Sequence, residues 1–240
     1  MTQQKIYFEQ SPKNINHTFI RHITNAISKN YPSLININLD DLHLKLESDK
    51  AILQKGTDQA TIFHKAIYSS FDEENFFSSE FWLSYRSHCL SIVEILKRET
   101  GYLGDWSIQR FPTIRFQFPE NLSVFEFHRD SNYQHPIGEI NCFYAVNECF
   151  ESSALQIEKN LGFEDYVPLN LKPGQYALLN TSIFKHGDIL NKTNKTRVSM
   201  DFRFIPSFLL KDNKSSLTKG IRFSSDSYFI QENVMKDLRI

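Results

Sequence analysis

The sequence predicts a mainly β chain with helices at its N-terminus and a jelly-roll core. Near residue 105 the spacing of apolar residues changes from helical to alternating, and beyond it short runs of period two are separated by Gly, Pro, Asn and Asp. Many short strands of this kind close on one another in a jelly roll. With 240 residues, 40% of them hydrophobic, the chain is long enough to bury one sizeable core. A single domain is expected, with 1–105 as a mainly helical part packing on the barrel, 106–210 as the β core and 211–240 as a C-terminal extension.

The first helix is read over 16–30, where Phe19, Ile20, Ile23 and Ile27 recur at helical spacing. The second covers 79–100 through Phe81, Leu83, Ile92, Val93 and Leu96, with Ser78 or Ser79 as its cap and Gly101 as its end. Residues 34–75 lack a clear period and carry no assignment. The strands are read over 107–110, 113–118, 123–128, 139–146, 154–158, 175–180 and 196–205. In two of these the polar residues share one face. Arg115 and Gln117 alternate with Ile114, Phe116 and Phe118, and Arg197, Ser199, Asp201 and Arg203 alternate with Val198, Met200, Phe202 and Phe204. Such a face either lines a ligand cavity or meets solvent, and periodicity leaves both open.

Charge and composition narrow the partners. The 27 basic and 28 acidic residues nearly cancel, so no positive field draws nucleic acid or anionic lipid. The N-terminus lacks a basic stretch followed by an apolar run, and no segment approaches the roughly 18 apolar residues of a spanning helix, which points to a soluble cytoplasmic protein. Cys89, Cys142 and Cys149 have neither zinc-site spacing nor the even number of a disulfide framework, and read as packing residues.

The chemistry concentrates in Phe127-His128-Arg129-Asp130. On an extended chain His128 and Asp130 project to the same side, where an imidazole nitrogen and a carboxylate oxygen meet one metal. His186 follows in Lys185-His186-Gly187-Asp188. Two His and one carboxylate leave coordination positions open, the ligand set of Fe(II) oxygenases, although zinc uses the same residue types. Further on, Arg197 and Ser199 point the same way on a predicted strand, a charged fork and a hydroxyl suited to one carboxylate.

His128-Arg129-Asp130, followed by Tyr133, His135, Pro136, Gly138, Glu139, Ile140 and Asn141, resembles the metal motif of the 2-oxoglutarate/Fe(II) dioxygenases. The run Arg197-Val198-Ser199-Met200-Asp201-Phe202-Arg203 is similar to the co-substrate strand of the same family. The likeness is greatest to the subgroup typified by the streptomycin-biosynthesis oxygenase, with phytanoyl-CoA-hydroxylase-like enzymes more distant. It spans about 115–206, and residues 1–105 and 207–240 match no motif. The resemblance implies a double-stranded β-helix (jelly-roll, cupin-like) core in which His128, Asp130 and His186 bind Fe(II) and act as the catalytic centre. It also implies that Arg197, assisted by Ser199, pairs with the distal carboxylate of 2-oxoglutarate, and that O₂ is consumed to hydroxylate a substrate with release of succinate and CO₂.

Gln117 and Asn141 flank the metal strand as further co-substrate ligands, or else satisfy neighbouring loops. Arg115, Tyr133 and His135 are candidate substrate contacts, and Glu126 is a candidate carboxylate for orienting His128. Asp201 and Arg203 are expected to pair with each other. The expected substrate is a small polar metabolite such as a sugar, aminocyclitol or amino-acid derivative, with the N-terminal helices and the 133–136 loop shaping a lid. Two rival readings remain: a cupin-like metal-dependent isomerase or hydrolase, and a catalytically inactive ligand-binding barrel. A protein kinase is excluded, because Asp201-Phe202 is followed by Arg203 rather than Gly and no Gly-rich loop exists.

Overall fold

The computed structural model describes residues 2–45, 61–123, 126–210 and 228–237. Three longer helices, α1 (Lys13–Asn30), α2 (Ile62–Phe71) and α3 (Glu80–Thr100), belong to the N-terminal part, and a short α4 (Glu232–Asp237) lies near the C-terminus. The strands are β1 (Tyr7–Gln10), β2 (Trp106–Gln109), β3 (Thr113–Gln117), β4 (Ile140–Ala145), β5 (Leu155–Glu158), β6 (Tyr166–Leu169), β7 (Gln175–Leu179), β8 (His186–Gly187), β9 (Arg197–Pro206) and β10 (Phe229–Gln231). They form two antiparallel sheets. The larger runs β1-β7-β4-β9-β2-β10, with β3 also paired to β9, and the smaller runs β6-β5-β8. The fold is therefore mostly antiparallel sheet with helices.

Helix α3 begins where the Ser79 side chain accepts a hydrogen bond from the Trp82 amide, and it ends at Gly101, whose φ of 72° suits a residue without Cβ. Its buried residues Phe81, Tyr85, His88, Ile92 and Leu96 recur every three to four positions. This stripe and that of α1 pack on the apolar face of the large sheet, where Val198, Met200, Phe202 and Phe204 are all fully buried. The rings of Tyr85 and Phe202 meet edge-on with centroids 5.2 Å apart. Burial of apolar area at this seam is the dominant stabilising term for such a layered fold.

The alternate residues of β9 point the other way, and they are buried as well: Arg197 and Ser199 are 0% exposed, Asp201 3% and Arg203 6%. The polar face therefore looks into the protein, not into solvent. Part of the space between the sheets is filled by a second apolar cluster, which includes Phe143, Leu155, Ile157, Ala177 and Leu179.

Several expectations need correction. The N-terminal helices do not form a lid, since their apolar stripes cover the face of β9 opposite its charged residues. The N-terminal and C-terminal parts both contribute strands, because β1 pairs with β7 and β10 with β2. Strand β6 and helix α2 have no counterpart among the elements the sequence predicts. Strand β6 has two exposed central residues and no clean alternation, and α2 lies in a stretch of weak periodicity. The strand read over 123–128 is not one where it is described: Ser123 and Glu126 are bends, and His128 makes a single isolated bridge to His186. Positions 124 and 125 lie outside the described residues.

His88 on α3 makes the fold sensitive to acid. Its ring stands edge-on to Tyr144 and Tyr176, and neither nitrogen has a hydrogen-bond partner. Burial pushes its pKa from 6.5 down to about 4. The unfolded chain thus binds the proton more readily, so stability is full above pH 6.5 and declines as pH falls towards 4. His88→Phe should remove about 3 kcal/mol of this decline at pH 4, measured by comparing urea unfolding of the two proteins at pH 7 and pH 4.

Candidate metal centre

Two backbone hydrogen bonds fix the centre. The His128 amide donates to the His186 carbonyl at 3.0 Å, and the His186 amide returns the bond at 2.9 Å, which sets the two imidazoles side by side with centroids 4.5 Å apart. Gly187 permits this contact, because a Cβ there would lie 3.0 Å from the Cα of Phe127. His128 Nδ1 donates to the Glu126 carbonyl at 2.8 Å, so its Nε2 carries the lone pair and faces inward. It is thus the backbone of Glu126, not its carboxylate, that orients this ring.

Asp130 opens a 3₁₀ turn over Asp130–Tyr133, and its two oxygens have different partners. Oδ1 lies 3.6 Å from His128 Nε2 and 3.5 Å from His186 Nε2. Oδ2 accepts from Thr181 Oγ1 at 2.7 Å and from Arg203 Nη2 at 3.1 Å. One ligand atom from each of His128, Asp130 and His186 lies within 4.8 Å of the others. Burial drives His186 down to about 4 against the pull of Asp130. Burial opposes ionisation of Asp130, but Arg203 and His186 outweigh it and hold the carboxyl well below its usual range. At neutral pH this gives neutral His186 beside a carboxylate, the protonation states that metal ligation requires.

A cleft of about 390 Å³, open solvent at its mouth included, adjoins these ligand atoms. Its walls carry Arg115, Arg197 and Arg203 together with Asp130, Asp188 and Asp201. Arg115 Nε donates to Asp201 Oδ2 at 2.6 Å, and Arg203 Nη1 donates to Asp201 Oδ1 at 3.1 Å. Arg197 binds Asp188 through both carboxylate oxygens, at 2.7 and 3.2 Å. Burial disfavours the charged forms of Asp188 and Asp201, yet Arg197 beside the first and Arg115 beside the second keep both below the usual carboxylate range. A second grouping of Asp130, His135 and Glu139 also brings possible ligand atoms together. Arg203 approaches both carboxylates there, with Nε 3.5 Å from Glu139, and opposes a further cation.

Of the residues singled out in the sequence, His128, Asp130, His186, Arg115, Asn141 and Arg197 line this one cleft. Ser199 does not line the cleft; it is fully buried, and its Oγ has no partner. Gln117 does not line the cleft; its Nε2 donates to the Ile189 carbonyl at 2.7 Å and ties down the chain after β8. Tyr133 stands edge-on to His128 with centroids 5.1 Å apart, and His135 pairs with Glu139 at 2.8 Å, and neither lines the cleft. Asp201 and Arg203 do pair, as expected. Sequence reasoning missed the parts played by Thr181, Ser123 and Asp188. Thr181 and Ser123 carry no local signal. Asp188, however, repeats the His-x-Asp spacing of His128 and Asp130 in His186-Gly187-Asp188, and only the fold shows that its carboxylate turns to Arg197.

No protein-family model matches the chain. The chain is 26% identical over 191 residues to the streptomycin biosynthesis protein StrG of Streptomyces griseus, covering 79% of this chain and 85% of that protein. Among solved structures, the epimerase SnoN in complex with Fe³⁺, alpha-ketoglutarate and nogalamycin RO superposes with a TM-score of 0.52 at 10% identity, over 95% of this chain and 94% of SnoN. Among the described residues, no helix is long and apolar enough to cross a membrane. The chain is a homologue of a streptomycin-biosynthesis protein, as its resemblance to that subgroup implies, and it shares its fold with the epimerase SnoN.

Proposed function

We propose that this chain is an Fe(II)/2-oxoglutarate-dependent dioxygenase with a double-stranded β-helix core, hydroxylating a small polar metabolite. The observation that carries the reading is the convergence of His128, Asp130 and His186 on one point at the end of a buried, charged cleft. The donor set fits iron: two imidazoles and a carboxylate with one free oxygen leave positions for an oxo-acid and O₂. Because Asp130 fills the third protein position, no vacancy remains for a halide, and hydroxylation is the favoured outcome.

The cleft also fits the co-substrate. Arg115, Arg197 and Arg203 balance Asp130, Asp188 and Asp201, so a divalent metal leaves a surplus of two positive charges, which the two carboxylates of 2-oxoglutarate neutralise. Arg197, in the wall of the cleft, keeps a buried Nε donor without an acceptor, which a carboxylate would satisfy. When bound, the metal supplies oxidative decarboxylation of the oxo-acid to succinate and CO₂, coupled to oxidation of a substrate C–H bond. The chain's own residues bind and orient. Thr181 and Arg203 hold Asp130 Oδ2 so that Oδ1 faces the metal position, and the Glu126 carbonyl fixes the His128 tautomer.

A polar substrate is favoured by Asn141, whose buried Oδ1 lines the cleft without a donor. A hydroxyl or amino group would satisfy it, whereas an apolar ligand would leave it desolvated at a cost of about 1–3 kcal/mol. Arg115 and Asp201 place less demand on a substrate, since they satisfy each other.

Three outcomes test the reading. Asp130→Ala should lose iron and succinate formation while remaining folded, because Arg203 keeps Asp201 and Glu139 as partners; normal turnover of 2-oxoglutarate by this variant would refute the assignment. Thr181→Val removes one bond to Asp130 Oδ2 and should weaken iron affinity about 10–100-fold without changing the circular dichroism. Purified protein with Fe(II), ascorbate and 2-oxoglutarate should release succinate above background with pooled polar metabolites. Stimulation by fatty acyl or peptide pools alone would sink the polar-substrate assignment.

A further inference from the structure

A guanidinium carries five N–H groups and grips a carboxylate best through two parallel ones. On Arg197 most are already engaged. Nη1 donates to Asp188 Oδ1 at 2.7 Å and to the Ser153 carbonyl at 3.0 Å, and Nη2 donates to Ser123 Oγ at 2.6 Å and to Asp188 Oδ2 at 3.2 Å. Only Nε lacks an acceptor. The forked edge that a ligand carboxylate would use is thus filled by a carboxylate of the chain itself. Both side chains of the pair are 0% exposed, and both border the same cleft as the three candidate metal ligands. Ser123 Oγ also donates to Asp188 Oδ2, which makes it the clasp of the pair.

Resting on the 2-oxoglutarate reading of the cleft, we propose that Asp188 is an internal placeholder for the distal carboxylate of the co-substrate. To reach the forked edge of Arg197, 2-oxoglutarate must displace Asp188. Arg115, although paired with Asp201, stands in the wall of the same cleft and adds positive potential there for the displaced carboxylate. Binding is then an exchange of one carboxylate for another at one guanidinium, and Asp188 sets how much free 2-oxoglutarate is needed. A simple counter-ion makes a different prediction: removing it would raise the affinity of every anion, whereas a placeholder competes only with ligands that have a distal carboxylate.

Calorimetric titration of the zinc-loaded protein separates these cases without turnover. Wild type, Asp188→Asn and Ser123→Ala would each be titrated with 2-oxoglutarate and with 2-oxobutyrate, which lacks the distal carboxylate. Asp188→Asn should bind 2-oxoglutarate about tenfold tighter or more, and 2-oxobutyrate within about twofold of wild type. Ser123→Ala, which leaves the ion pair in place but opens the clasp, should shift 2-oxoglutarate in the same direction by less, and it decides the matter alone if Asp188→Asn does not fold. Unchanged or weaker 2-oxoglutarate binding, or an equal gain for both ligands, would overturn the placeholder while leaving the dioxygenase reading intact. Absence of 2-oxoglutarate binding in wild type and variants alike would remove both.

Discussion

Ionic groups buried between the two sheets must find partners there, and this requirement organises the whole polar side of the molecule. Strand β9 carries Arg197, Asp201 and Arg203 on its inner face, all with little or no exposure. Each is matched from another part of the chain: Arg197 by Asp188 just after β8, Asp201 by Arg115 on β3, and Arg203 by Asp130 in the turn that follows His128. Removing one member of such a buried pair costs about 3–5 kcal/mol, far more than an exposed ion pair contributes, so these contacts hold the loops that bear the candidate ligand residues to the sheet.

Asp130 joins this network to the candidate metal centre. Its carboxylate is divided, one oxygen tied to Thr181 and Arg203 and the other turned to the two imidazoles. A carboxylate held in this way keeps its charge despite burial and presents a single oxygen in a fixed direction. The opposite face of β9 meets a different demand. Val198, Met200, Phe202 and Phe204 take α1 and α3 against them, and the apolar seam fixes the strand from behind. One strand therefore anchors the core on one side and the charged cleft on the other, as the two-residue period of an extended chain allows.

Much of this was legible in the sequence because it is local. The alternation along β9 and β3, the Ser79 cap and Gly101 stop of α3, and the His-x-Asp spacing at His128 each depend on residues a few positions apart, and backbone geometry alone relates them. The same alternation could not decide whether the charged face met water or protein. That choice depended on Leu155, His186 and Gly187 of the smaller sheet lining one cleft with Arg197, Asp201 and Arg203, a long-range arrangement with no local trace.

What the sequence by itself determined, then, was the set of candidate ligand residues and their order: His128, Asp130, His186, Arg197 and Ser199. Tertiary structure decided how they are used. The bridge between His128 and His186 exists because two chain segments 58 positions apart lie side by side, and no period of either segment encodes it. Likewise, Asp130 and Asp188 each follow a histidine by two residues and look alike in sequence. One turns to the imidazoles and the other to Arg197, because the partner available to a buried carboxylate depends on which strand the fold places opposite it.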